Sequence, residues 1–255
     1  MKNAVLKKVT IFFVIVFTCI INLPLVFATA IFDNTKSIDE PVTSVSVSGN
    51  NANTNLEIFS SALYDSMQLA VKGLTQNAFN YAIKGFYKLL SEGRLKNEDI
   101  ITIVDFSLPS TQKRLFVINL DKREVLFNTY VAHGINSGKL MANKFSNSPE
   151  SYKSSLGFYQ TLETYMGGHG YSLRLQGLEK GINDNAKRRD IVIHGADYVD
   201  ESFIRMQGYI GRSWGCPALP VKLYKPIINT IKNGTCLFIY SPDKFYLKKS
   251  GIINT

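Results

Sequence analysis

Short runs rich in β-branched and aromatic residues constrain this chain most. They fall at 100–106, 114–120, 125–132, 191–194 and 236–240. Each is too short for a buried helix, and the turn signal Asp121-Lys122-Arg123 between the second and third predicts a hairpin. Between Gly134 and Arg189 the chain is rich in Gly, Ser and Asn and shows few clean strands. A stretch that long in a compact domain points to function, and 143–156 is expected to be an ordered loop over a site. The expected class is mainly β, over 96–245.

Ahead of the strands, Leu56, Phe59, Leu63, Met67, Ala70 and Leu74 recur at helical spacing, as do Phe79, Ile83, Phe86 and Leu90. The spacing predicts a small helical segment over 56–95, broken at Gly73 and Thr75 and stopped by Gly93. Neither polar face carries paired acids or histidines, so both helices read as structural. A further helix is expected over 221–231, starting after Pro220.

The first 30 residues read as an export leader. Lys2, Lys7 and Lys8 precede a nearly continuous apolar run, which ends at Ala28-Thr29-Ala30. Cleavage after Ala30 is expected, with an uncleaved anchor as the alternative. Residues 31–55 read as a flexible arm. The rest keeps 26 basic and 20 acidic residues, a balance suited to an anionic cell-surface polymer. Its basic residues are dispersed with no interleaved aromatic stripe, so nucleic acid is not expected as a partner. Membrane contact is expected only through the leader. Hydrophobic residues make up 45% of the chain, which excludes a mainly disordered protein. Three cysteines are too few for a disulfide scaffold.

After the leader the reactive inventory is small: Cys216 and Cys236, with His133, His169 and His194. No H-E-x-x-H or C-x-x-C is present, and neither metal nor cofactor is expected. Cys236 lies in an apolar strand pattern and reads as an inert buried thiol. Cys216 lies in Gly211-Arg212-Ser213-Trp214-Gly215-Cys216-Pro217-Ala218, a glycine-bearing turn. Pro217 restricts Cys216 to extended geometry, and the amides of Gly215 and Cys216 are candidate oxyanion donors. His194 ends a strand run and is followed by Gly195. A thiol beside an imidazole is the minimum for acyl transfer. A stacked core histidine with a stray thiol, or a Cys216–Cys236 disulfide, stays open on spacing alone.

His133 and His169 also precede glycines and either line a cleft or serve the structure. Arg174 and Arg212 carry forked donors that suit a carboxylate, with a bracing role open for Arg174 and a thiol-activating one for Arg212. Lys187-Arg188-Arg189 reads as a solvated basic patch, with attraction of an anionic polymer as the alternative. Trp214 either packs the turn or forms a platform for substrate.

The ordered blocks together resemble the murein L,D-transpeptidase catalytic-domain family of bacterial cell walls. They are Val131-Ala132-His133-Gly134, Ser154-Ser155-Leu156-Gly157, His169-Gly170-Tyr171-Ser172-Leu173-Arg174-Leu175, Gly177-Leu178-Glu179, Asn183-Asp184-Asn185-Ala186, Ile193-His194-Gly195-Ala196-Asp197-Tyr198 and the cysteine turn. The resemblance implies a sandwich-like β core. It maps Cys216 to the nucleophile, His194 to its activating histidine, and Ser213 and Gly215 to the turn that holds the nucleophile. The family's usual turn histidine is Trp214 here, and Pro217-Ala218-Leu219 replaces its usual polar tail. The resemblance further implies an exported enzyme of the periplasm or cell envelope, acting on peptidoglycan stem peptides through a cysteinyl thioester, with no metal or cofactor. A thiol hydrolase on the same substrate and a non-catalytic wall-binding protein are the alternatives.

Overall fold

The computed structural model describes residues 49–254. The leader and most of the arm expected at 31–55 lie outside the described residues. Helix α1 (Gly49–Ser66) starts ahead of Leu56, where the apolar period begins. Thr54 and Asn55 are exposed, so the opening turns show no amphipathic pattern to read. Helix α2 (Gln76–Ser91) buries Phe79, Ile83 and Phe86 completely. Thr75 caps it by accepting from the Ala78 amide. The same hydroxyl donates to Asp105 at 2.6 Å, tying the helix start to the end of the first strand.

Eight strands follow: β1 (Ile100–Asp105), β2 (Leu115–Asn119), β3 (Glu124–Thr129), β4 (Gly157–Gly167), β5 (Gly170–Gly177), β6 (Val192–Gly195), β7 (Ala218–Leu219) and β8 (Cys236–Tyr240). Their order in the sheet is β3-β2-β1-β8-β4-β5-β6-β7. The hairpin read around residues 121–123 is the β2–β3 pair. β8 is the hinge of the topology. It runs parallel to β1, with Ile101 opposite Cys236, and antiparallel to β4, with Gly157 opposite Ile239. A five-residue strand from the far end of the chain thus joins the two halves, which is why it is buried throughout. The architecture is mainly β with a few helices, as the sequence predicts.

The β4–β5 hairpin corrects the expectation of a largely irregular 134–189 stretch. Gly167, Gly168 and Gly170 lie at its turn and Gly157 opens it, so the punctuation resembles loop sequence. Beyond the hairpin, Glu179 and Asn183 fold residues 177–186 back onto β4. Asn183 Nδ2 donates to the Leu156 and Phe158 carbonyls, and Glu179 accepts from the Phe158 amide at 2.8 Å. These two blocks are buried polar braces. Three short helices complete the chain: α3 (Glu201–Gln207), α4 (Tyr224–Ile231) and α5 (Lys244–Lys249). α3 and α5 carry only a turn or two of pattern and were not expected. No helix among the described residues is long and apolar enough to cross a membrane.

The α2 backbone lies directly on the sheet at Gly85. A Cβ there would sit 2.0 Å from the Phe158 ring, which is itself stacked on Phe238 at 4.2 Å and has no room to retreat. Gly85→Ala gains up to ~1 kcal/mol of helix propensity. Overpacking costs about 1–3 kcal/mol and wins. The expected outcome is a lower urea midpoint with an unchanged slope; an equal or higher midpoint would show that the contact yields.

Candidate active site

The site forms where the 131–134 segment, the 146–155 loop, β6 and the cysteine turn meet. His133 fastens the first of these. Its side chain is fully buried, its Nδ1 lies 2.7 Å from Arg114 Nη2, and its Nε2 lies 3.2 Å from the Gly138 carbonyl. Guanidinium only donates and a carbonyl only accepts, so His133 is neutral with its proton on Nε2. Burial first, and the neighbouring Arg114 second, hold its pKa down to about 3. Arg114 also donates to the Val131 and Leu108 carbonyls and lies over the Phe106 ring at 4.7 Å. The structure therefore puts His133 in the scaffold and not along the cleft.

The scaffold sets the cysteine turn. Ser213 N donates to the His133 carbonyl at 3.0 Å, and Ile135 N to the Ser213 carbonyl at 2.7 Å. Ser213 Oγ closes the turn, donating to the Cys216 carbonyl at 2.6 Å and accepting from the Gly215 amide at 3.1 Å. Gly215 has φ +124°, and a Cβ there would approach the Lys153 carbonyl to 2.8 Å, so both backbone and space require glycine. Buried Ser154 rivets three segments, accepting from Gly134 N and donating to the Gly215 carbonyl. Of the two amides expected to face an oxyanion, that of Gly215 is taken by Ser213, while that of Cys216 has no acceptor among the described residues.

β6 presents His194 in register with Ala218, two residues past Cys216. Cys216 lies in the turn just ahead of β7, so the β6–β7 pairing brings that turn alongside the end of β6. Both line a cleft of about 660 Å³. His194 is buried, and its Nδ1 lies 3.0 Å from the Gly195 carbonyl. The proton therefore sits on Nδ1, and Nε2 keeps its lone pair. His169, at the β4–β5 turn, stacks on the His194 ring with centroids 4.3 Å apart. Burial lowers the His194 pKa, with a smaller push from His169.

Cys216 and Cys236 are both free thiols, so the Cys216–Cys236 disulfide left open above does not form. Cys216 Sγ donates to the Asp190 carbonyl at 3.6 Å. Burial pushes this thiol up to about 11; the Val192 amide and Arg189 pull the other way. The resting pair is thus thiol and neutral imidazole.

Arg189 is the residue that sequence reasoning missed. Its Nη1 donates to the Ser146 carbonyl and Ser155 Oγ, and its Nη2 to the Lys153 carbonyl and Ser151 Oγ, at 2.5–3.1 Å. It is half-buried and lines the cleft, whereas Lys187 and Arg188 beside it are exposed. All its partners are neutral, so its positive charge stays available beside the sulfur.

The remaining expected residues separate. Arg212 lines the cleft, its Nη1 fixed on the Ile135 and Gly138 carbonyls. Arg174 instead braces the hairpin, lying over Tyr165 at 4.1 Å and pairing with Glu163. Trp214 is 74% exposed at the cleft rim, so it does not pack the turn. A second cavity of about 360 Å³, lined by Gly195, Asp197 and Tyr224, shares His169 and Tyr198 with the first.

A family model described as the L,D-transpeptidase catalytic domain matches residues 70–240, most of the chain. The chain belongs to the L,D-transpeptidase catalytic domain family. Among solved structures, it is similar to an L,D-transpeptidase from Mycobacterium smegmatis at 13% identity, covering 56% of this chain and 59% of that one, with a TM-score of 0.34. It is also similar to an L,D-transpeptidase from Stackebrandtia nassauensis at 12% identity, covering 66% and 68%, with a TM-score of 0.35. The chain thus spans about three fifths of the first of these relatives. No curated protein matches the chain. Within the L,D-transpeptidase domain, Cys216, His194 and Arg189 line one cleft, and His133 is bonded to Arg114 in the interior.

Proposed function

We propose that the protein is an exported cysteine acyltransferase of the cell envelope that acts on peptidoglycan stem peptides. One observation carries the reading: a free thiol and a tautomer-locked imidazole line the same cleft in an L,D-transpeptidase domain. His194 Nε2 takes the proton from Cys216 Sγ as the sulfur attacks the carbonyl between an L-centre and a D-amino acid. The Cys216 amide donates to the developing oxyanion, and Arg189 supplies fixed positive charge nearby. Collapse breaks the C–N bond, and the leaving amine takes the proton held on His194. The acyl group remains on sulfur as a thioester. An amine of a second stem then attacks, gives a proton to His194, and expels the thiolate, which recovers that proton. Atoms and charges balance without a cofactor.

The second cavity favours transfer over hydrolysis. It meets the first at His169 and Tyr198, giving an acceptor stem room apart from the donor. Incubation of the protein with a stem tetrapeptide and an acceptor stem is expected to yield L,D-linked dimer and one free D-amino acid per bond. Free D-amino acid without dimer would identify a carboxypeptidase; no release at all from protein with an intact thiol would support a wall-binding role.

A further inference from the structure

The cysteine turn carries an aromatic surface that the acyl-transfer chemistry does not use. Trp214 is 74% exposed and Tyr152 41% exposed, with ring centroids 5.6 Å apart and planes inclined by 56°. Leaving an indole in water two residues from the nucleophile forgoes a large apolar burial.

The tyrosine side of this surface is held in place against backbone strain. Glu150 and Tyr152 have φ of 55° and 53°, the left-handed region that costs non-glycine residues roughly 1 kcal/mol or more each. Hydrogen bonds sustain it. Asn136 Nδ2 donates to the Ser151 carbonyl and Asn136 N to the Tyr152 carbonyl, while Arg189 grips Ser151 and Lys153. No core packing is gained in return, because the Tyr152 ring stays half in solvent. What the loop achieves is to set this ring beside Trp214.

Polar groups flank the rings. Arg212 commits Nη1 to the Ile135 and Gly138 carbonyls and lies over the Tyr209 ring at 5.3 Å, its other donors having no hydrogen-bond acceptor among the described residues, and Glu150 is exposed. Open aromatic faces edged by donors and a carboxylate suit a pyranose. One face of such a ring is all C–H and stacks on aromatics, while its equatorial hydroxyl and acetamido groups take hydrogen bonds at the edge. A peptide side chain would be better served by a closed apolar pocket. In peptidoglycan every stem is covalently joined to a sugar, so a stem seated at Cys216 brings a glycan strand to the cleft mouth.

We propose that Trp214 and Tyr152 form a glycan-binding platform that stacks a hexopyranose ring of the strand carrying the donor stem. This rests on the peptidoglycan reading above and adds polymer recognition to it.

Trp214 is the chain's single tryptophan, so intrinsic tryptophan emission reports on the cleft rim that carries the platform. The full chain carrying Cys216→Ala is titrated with murein glycan chains stripped of their stems, and separately with a free stem tetrapeptide. The expected result is a saturable blue shift with the glycan chains, larger than any the tetrapeptide gives. Tyr152→Ala should weaken glycan affinity about tenfold and Tyr152→Phe by less than twofold, since stacking survives loss of the hydroxyl. A shift caused only by the tetrapeptide, or by neither ligand, overturns the proposal, as does equal affinity in the wild-type and Tyr152→Ala backgrounds. If the glycan chains shift the emission while wild-type protein fails to turn over stems, the platform stands and the catalytic reading falls.

Discussion

Cys216→Ala is expected to reduce stem-peptide turnover by at least ~10³-fold while leaving stability within about 1 kcal/mol. The loss is large because no other thiol among the described residues replaces it: Cys236 is fully buried in β8, and burial pushes its thiol up further still. The fold is spared because the turn is closed by Ser213 Oγ and the Cys216 backbone, not by the sulfur. His194→Gln should cost about 10²–10⁴-fold, since the thiol, pushed up to about 11, is nearly all protonated at neutral pH and needs a base within reach. Steady-state release of D-amino acid measures both. Substantial turnover in either variant would place the chemistry elsewhere.

Acid should destabilise the protein through His133, by an amount set by burial and not by catalysis. Its folded pKa of about 3 lies below the ordinary 6.5, so the unfolded chain binds the extra proton first. The contribution is complete above pH 6.5 and is lost as pH falls from 6.5 towards 3, at about 1.4 kcal/mol per pH unit. Between pH 7 and pH 4.5 the loss is about 3 kcal/mol. His194, also lowered, works in the same direction. Glu179 works against it, because burial raises its carboxyl pKa. His133→Gln isolates the effect: the amide can accept from Arg114 and donate to Gly138 but does not titrate. Urea unfolding from pH 7 to 4.5 should show wild type losing stability more steeply than the variant by close to one proton's slope. Parallel curves would mean that His133 titrates normally in the folded state.

The sequence made the candidate pair legible because its constraints are local. Gly195 follows His194, Pro217 fixes Cys216, and glycine at 215 marks a turn that no other residue fits. The strand runs were equally readable, since β1, β2 and β8 are buried almost throughout and need continuous apolar residues. Arg189 was not readable. Its four acceptors lie 34 to 43 positions upstream, and its immediate neighbours are solvated. β4 was obscured because its second half faces solvent with Glu163 and Met166, and its partner β8 lies far along the chain. His133 and His169 carry the same His-Gly signature, yet one is bonded to Arg114 in the interior and the other stacks on His194. Only the three-dimensional neighbours separate their roles.

Intact-protein mass after brief mixing with stem tetrapeptide bears most directly on the thioester. Wild-type protein is expected to gain the mass of the acyl tripeptide, with the adduct mapping to Cys216 and disappearing in Cys216→Ala. An adduct that persists in that variant, or turnover of the peptide through wild-type protein whose Cys216 never becomes acylated, would contradict the account.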